Sequence, residues 1–357
     1  MIKDFKIGNR TVGLHQSPYF IADVGANHDG SLERAFRLIE LAKEAGADAA
    51  KFQNFQASKI VSKYGFDNMK AKLSHQAGWK KSVYEIYEDA SVSMDWTAQL
   101  KKKCDEVGIE YFTSPYDFES VDHVDPFVNV YKIGSGDITW LEIIAHIRSK
   151  GKPVLIASGA SDMDDVDRAM EVLQKGGKDG LCLMQCNTNY TVDPDKYRYV
   201  NLNVLRVFQE RYPHVLLGLS DHTLGHATVA GAVPLGARLF EKHFTDDNDR
   251  EGPDHKFAMN PKTWRQMVDT ANEIYEALGD GVKRVEDNEK QSLVVQRRSL
   301  RAVADIAEGT VLTAAHLEPL RPIPADGFAP YQLPELIGKK VSRALVKGEH
   351  ITKEHLG

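Results

Sequence analysis

Residues 19–53 read YFIADVGANHDGSLERAFRLIELAKEAGADAAKFQ. An apolar run of strand length (19–24) gives way to a Gly/Asn/Asp turn. Ser31 then stands where a helix N-cap belongs, and apolar residues recur at helical spacing up to Gly46, a helix-ending residue. A second apolar run follows at 48–52. Strand, helix and strand within so short a stretch cannot be a hairpin. They form a crossover unit, and its strands pair in parallel.

The unit repeats. Further strand candidates are EYFTS (110–114), VYKIG (130–134), PVLIAS (153–158), LCLMQC (181–186), VLLGLS (215–220) and RLFEKHF (238–244). Helical patterns separate them at 97–108, 138–151, 163–177 and 202–212, and one more follows at 262–279. About eight such units over about 280 residues favour a closed (β/α)8 TIM barrel over an open doubly wound sheet. The first strand is not followed by G-x-G-x-x-G, so a dinucleotide fold lacks its main support. Residues 56–95, which include Trp79 and SVYEIYEDA, form a long insertion after the second strand, expected over the active-site end.

The pattern changes after the barrel, assigned to residues 1–281. A charged linker (282–297) leads to residues 298–357, where the helical patterns are too short for a barrel. There "AEGTVLTAAHL" and "VKGEHITKEHL" resemble each other, which implies a small, pseudo-symmetric, β-rich domain.

Bulk properties narrow the function. The 357 residues are 42% hydrophobic and 27% charged with a net charge of -6, which disfavours nucleic acid as the main partner. No apolar run reaches the length of a membrane span, and MIKDFKIGNRTVG lacks a signal-peptide layout, so a cytoplasmic protein is expected. Cys104, Cys182 and Cys186 are too few for a disulfide scaffold, and the pair in LCLMQC reads as buried and reduced.

In such a barrel the C-terminal strand ends converge on one face. The polar residues there include Asp23, Lys51, Gln53, Ser114, Lys132, Ser135, Asp137, Asn187, Thr188, Tyr190 and Ser220, then His222 and Glu241 to His243. Lys51 and Lys132, with Ser114, Ser135 and Ser220, suit a phosphate: ammonium charge plus directed hydroxyl donors. Alternatively, the lysines point outward and pair on the surface. LSDHTLGHA (219–227) places His222 and His226 four apart, the spacing of a zinc helix. Yet His222 ends a strand, and His243 ends the next one, about 4.8 Å away. That pair suits an open divalent site such as manganese or magnesium, leaving His226 to packing.

The motifs FKIGNRTVG, DVGANHDGS, AGADAAKFQ, YFTSPYD, YKIGSGD, LGLSDHT and EKHFTDDNDREGPDH, with the tail from Arg298 to Leu356, resemble the sialic acid (nonulosonic acid) synthases over essentially the whole chain. The tail is similar to the antifreeze-like (SAF) module of those enzymes. The resemblance implies condensation of phosphoenolpyruvate with an N-acyl amino sugar and water, giving a nine-carbon keto-acid and phosphate. It implies a divalent metal, manganese or magnesium, on His222 and His243, with Asp23 beside them as a catalytic carboxylate. It implies that Lys51, Ser114, Lys132, Ser135, Asn187, Thr188 and Ser220 bind phosphoenolpyruvate. Gln53, Asp137, Tyr190 and Asp254 would contact the sugar. It also implies a domain-swapped homodimer in which Arg321 reaches the partner's site. Three positions depart from the family pattern: glutamate is usual at Asp23 and at Asp137, and Cys-Thr-Asn is usual where this chain reads CNTNY (186–190). Two other functions compete: a pyruvate aldolase forming a Schiff base at Lys132, and a non-catalytic carbohydrate-binding protein.

Overall fold

The computed structural model describes residues 2–69 and 81–356, so Trp79 lies outside the described residues. The chain divides into two compact units, Met1–Gly279 and Asp280–Gly357.

The first unit opens with an antiparallel hairpin, β1 (Phe5–Ile7) and β2 (Arg10–Val12), turning at Gly8. Its three-residue strands are too short to show alternation in the sequence, and they are anchored by Ile7 and Val12, both buried in the main core. Eight parallel strands follow: β3 (Tyr19–Asp23), β4 (Ala49–Asn54), β5 (Glu110–Pro115), β6 (Tyr131–Ile133), β7 (Val154–Ala157), β8 (Leu181–Cys186), β9 (Leu216–Asp221) and β10 (Ala237–His243). Their order is β5-β4-β3-β10-β9-β8-β7-β6, so the first and last strands of the run pair, with His243 opposite Asp23. At the remaining seam β5 and β6 lie side by side, with Cα atoms within 8 Å but without ladder hydrogen bonds. The sheet is a near-closed TIM-type barrel. Strands β3, β8, β9 and β10 are buried along their whole length, as expected where helices cover the outer face.

The helices begin where local chemistry starts them. Ser31 accepts from the Arg34 amide and caps Leu32–Glu44, which buries Ala35, Leu38, Ile39 and Ala42. Each large aliphatic side chain so buried contributes roughly 1.5–3 kcal/mol. Gly108, in the left-handed region, ends Trp96–Val107. Asp162 and Asp165 form a capping box at the start of Met163–Lys175. The helix expected from residue 138 starts only at Leu141, because Ser135–Asp137 folds into a 3-10 turn directly after β6. That turn holds Ser135 and Asp137 at the strand end. Successive residues of β10 alternate in direction: Glu241 and His243 face the cavity described below, while Lys242 makes a buried ion pair with Asp221 of β9.

In the second unit β11 (Ser299–Ala302) pairs antiparallel with β12 (Leu317–Leu320). The internal repeat is visible in detail. Thr313 precedes the 3-10 turn Ala314–His316, and its amide donates to His316 Nδ1; Thr352, Lys353–His355 and His355 Nδ1 repeat the arrangement. Ile306 and Leu345 exchange backbone hydrogen bonds, and Leu300, Leu312, Val341 and Ile351 are among the residues of the small core. Residues 290–296 of the expected linker form a short exposed helix, Lys290–Gln296, in this unit.

Candidate active site

The C-terminal ends of the barrel strands enclose a cavity of about 400 Å³. Its floor is polar. Asp23, at the end of β3, is 2% exposed. Its Oδ2 accepts from Lys51 Nζ at 2.7 Å and Gln53 Nε2 at 3.1 Å, and its Oδ1 from the Gly25 amide at 3.0 Å. Burial opposes charge on Asp23, but Lys51, His243 and Lys132 together outweigh it and hold the carboxyl below its ordinary value. Burial likewise opposes the Lys51 ammonium, and the carboxylates of Asp23, Glu241 and Asp254 reverse that effect, raising its pKa. Lys132 Nζ lies 3.2 Å from Glu241 Oε1, and Lys51 Nζ 3.8 Å from the same oxygen. Ser220 also donates to this oxygen, at 3.3 Å.

The imidazoles of His222 and His243 lie 5.4 Å apart between ring centroids, packed against Phe257 and Tyr190. His222 Nδ1 meets the Asn187 carbonyl at 2.9 Å. Only a protonated nitrogen bonds a carbonyl, so Nδ1 carries the hydrogen and Nε2 the lone pair of the neutral ring. Burial, then the neighbouring His243, push His222 down to about 3 and keep it neutral. His243 Nε2 lies 3.7 Å from Asp23 Oδ2, and its Nδ1 3.5 Å from Asp254 Oδ2 without a hydrogen bond. Asp137 stands on the turn after β6, where burial pushes its carboxyl up to about 6 against the pull of Lys132.

Three buried polar atoms of the lining have no hydrogen-bond partner: Ser114 Oγ, Glu241 Oε2 and His243 Nδ1. Unsatisfied buried groups are costly, and these three could take partners from a polar ligand or from water in the cavity.

The NeuB family model matches residues 38–283, and the SAF domain model matches residues 297–357. The chain belongs to the NeuB family. It is 32% identical to the N,N'-diacetyllegionaminic acid synthase of Legionella pneumophila over 98% of this chain and 97% of that one. The human N-acetylneuraminate-9-phosphate synthase is 31% identical over 97% of this chain and 94% of its own length. The crystal structure of an N-acetylneuraminic acid synthetase from Leptospira borgpetersenii in complex with citrate shares the fold, with a TM-score of 0.72 at 24% identity, over 82% of this chain and 96% of that one. This member of the NeuB family is thus an enzyme of the synthase class its relatives represent.

Most residues singled out from the sequence meet in this one cavity. Asp23, Lys51, Gln53, Ser114, Lys132 and Ser135 line it, as do Asp137, Tyr190, Ser220, His222, His243 and Asp254. Asn187 and Thr188 are not in the lining: the Asn187 side chain is spent on the Tyr199 carbonyl and the Asn189 amide, and its own carbonyl orients His222. Arg321 belongs to the second unit, exposed just after β12. His226 is the residue that precedes the helix Ala227–Ala232, half-buried and outside the cavity lining.

Sequence reasoning assigned no role to Glu241, although the alternation in EKH already places it on the same face as His243. It also passed over an aromatic wall in which Phe55 packs against Tyr87 at 5.4 Å and Tyr116 at 5.9 Å. Ile60, Ile86, Tyr87 and Ala90 bring the expected insertion to the cavity.

His222 and His243 are the residues of the cavity that could hold a divalent cation, in an open arrangement. Among the described residues no cluster of three or more His, Cys, Asp or Glu side chains is built to enclose one. The His222 ring, whose Nδ1 hydrogen is used on the Asn187 carbonyl, keeps a lone pair on Nε2, and His243 Nδ1 has no hydrogen-bond partner; both could serve as ligands to an ion whose shell water and substrate complete.

Proposed function

We propose that this chain is a nonulosonic acid synthase, which condenses phosphoenolpyruvate with an N-acyl amino sugar and water to give a nine-carbon 2-keto acid and phosphate. N-acetylmannosamine or a related 2,4-diacetamido-6-deoxyhexose is the acceptor. The observation that carries this reading is the division of one cavity. Two buried lysines and the free Ser114 hydroxyl form an anion-binding end beside a pair of histidines, and an aromatic wall bounds the remaining space.

Lys51, Lys132, Ser114, Ser135 and Ser220 hold the phosphate and carboxylate of phosphoenolpyruvate and aim its methylene carbon at the acceptor's aldehyde. His222 and His243 would hold a manganese or magnesium ion, which supplies Lewis-acid polarisation of the aldehyde oxygen. Asp137, Gln53, Tyr190 and Asp254 orient the sugar, and Asp23 anchors Lys51 beneath the reacting carbons. The methylene carbon bonds to the aldehyde carbon, water adds to the electron-poor C2, and phosphate departs. In a head-to-tail homodimer the partner subunit's Arg321 completes the sugar site. The substrates and the absence of any helix able to cross a membrane among the described residues suit a cytoplasmic enzyme.

Lys132 is engaged with Glu241 at 3.2 Å, an arrangement suited to binding an anion rather than attacking a carbonyl. The competing aldolase chemistry gives a distinct outcome in labelling. With oxygen-18 in the bridging C–O–P position of phosphoenolpyruvate, the label is expected to leave in phosphate. Retention of the label in the keto acid, or covalent trapping of pyruvate on Lys132 by borohydride, would refute the proposal.

A further inference from the structure

The carboxylates lining the cavity are unequally occupied. Asp23 gives Oδ2 to Lys51 and Gln53 and Oδ1 to Gly25, and Asp254 Oδ2 takes the Ala26 amide. Glu241 is different. It is 5% exposed, and Oε1 faces Lys132, Lys51 and the Ser220 hydroxyl, while Oε2 is buried with no partner. A desolvated carboxylate oxygen without a donor is costly unless a ligand supplies one. The surroundings restrict that ligand. The anionic oxygens of a substrate held by the two lysines are repelled by Glu241, whereas a neutral O–H donor is attracted.

We infer that Glu241 holds the water that attacks C2 of phosphoenolpyruvate, an inference that rests on the function proposed above. Oε1 fixes Lys132 and Ser220 at the anion-binding end, and Oε2 accepts from the water, turning a lone pair toward C2. Once the methylene carbon has bonded to the aldehyde carbon, C2 is short of electrons, and the water oxygen bonds to it. One water proton goes to the alkoxide formed from the aldehyde. The bond from C2 to the bridging oxygen then breaks, its electron pair leaving with phosphate, which takes the second proton as hydrogen phosphate. Glu241 orients the nucleophile and is unchanged at the end.

Glu241→Gln tests this, because the amide keeps an oxygen for Lys132 and Ser220 and replaces the other acceptor with a donor. The expected result is a fall in kcat of at least about 100-fold. Calorimetric affinity for phosphoenolpyruvate should stay within about threefold of the unmodified chain, separating water orientation from substrate binding. Glu241→Asp keeps the charge near Lys132 and withdraws the carboxylate by one methylene, so it should give the same split even if the amide variant does not fold. A kcat within about threefold of the parent, or a parallel loss of kcat and affinity, would overturn the inference and leave Glu241 as a spacer of lysines. An unmodified chain that releases no phosphate with any acceptor would instead refute the condensation itself.

Discussion

Asp137 and Asp23 are chemically alike and placed in opposite environments. Asp23 is saturated with donors and held ionised, whereas burial pushes Asp137 up to about 6. The folded chain therefore binds the Asp137 proton more tightly than the unfolded chain, whose value lies near 3.8. The associated stability is fully present below the unfolded value and is lost as pH rises through about 6, by at most roughly 3 kcal/mol. Asp137→Asn should raise the thermal midpoint at pH 7.5, leave it nearly unchanged near pH 4, and weaken kcat/KM for the sugar. Scanning fluorimetry at the two pH values checks the first pair of statements, and an unchanged midpoint at pH 7.5 would contradict them. Strand position and alternation make the lysines, serines and histidines legible in the sequence. They do not reveal which carboxylate is neutralised by donors and which is stranded, because that depends on partners from other strands. Glu241 went unassigned for the same reason.

The elements were legible wherever a pattern was long enough to show itself. Ser31 and Gly46 bracket a helix of thirteen residues, and the eight barrel strands fall within one or two residues of their apolar runs. The three-residue strands of the hairpin and the turn Ser135–Asp137 carry no period, and only packing against the barrel defines them. The loop after β3 shows how closely an element is fitted to the site. Gly25 has φ +51, and a Cβ there would lie 2.8 Å from Asp254 Oδ2 and 3.0 Å from His243 Nδ1. Gly25→Ala should therefore displace two site residues at once. A left-handed alanine costs about 1–2 kcal/mol, which lowers the thermal midpoint by only a few degrees in a domain of this size. The loss of kcat/KM should be at least about tenfold. Full activity in this variant would show that the loop tolerates the methyl without moving His243.

At the scale of the whole molecule, the chain joins a barrel that carries a strand-end cavity to a small pseudo-symmetric domain whose repeats share the Thr-to-His turn. The repeat could be read from "AEGTVLTAAHL" and "VKGEHITKEHL"; the domain-swapped homodimer rests on the family resemblance alone, since a dimer depends on surfaces of two chains. If the partner subunit's Arg321 serves the cavity, a chain with Arg321→Ala and a chain with His222→Ala each lack activity alone. Mixed under conditions of subunit exchange, they should regain a fraction of it, and no recovery would count against the shared site. The claim on which everything else rests is the condensation. Its most direct test is to incubate the purified chain with phosphoenolpyruvate, a divalent cation and a panel of N-acyl amino sugars, following phosphate and the product mass together. The expected result is acceptor-dependent release of one phosphate per nine-carbon keto acid formed. Phosphate release that is independent of the sugar, or none with any acceptor, would contradict it.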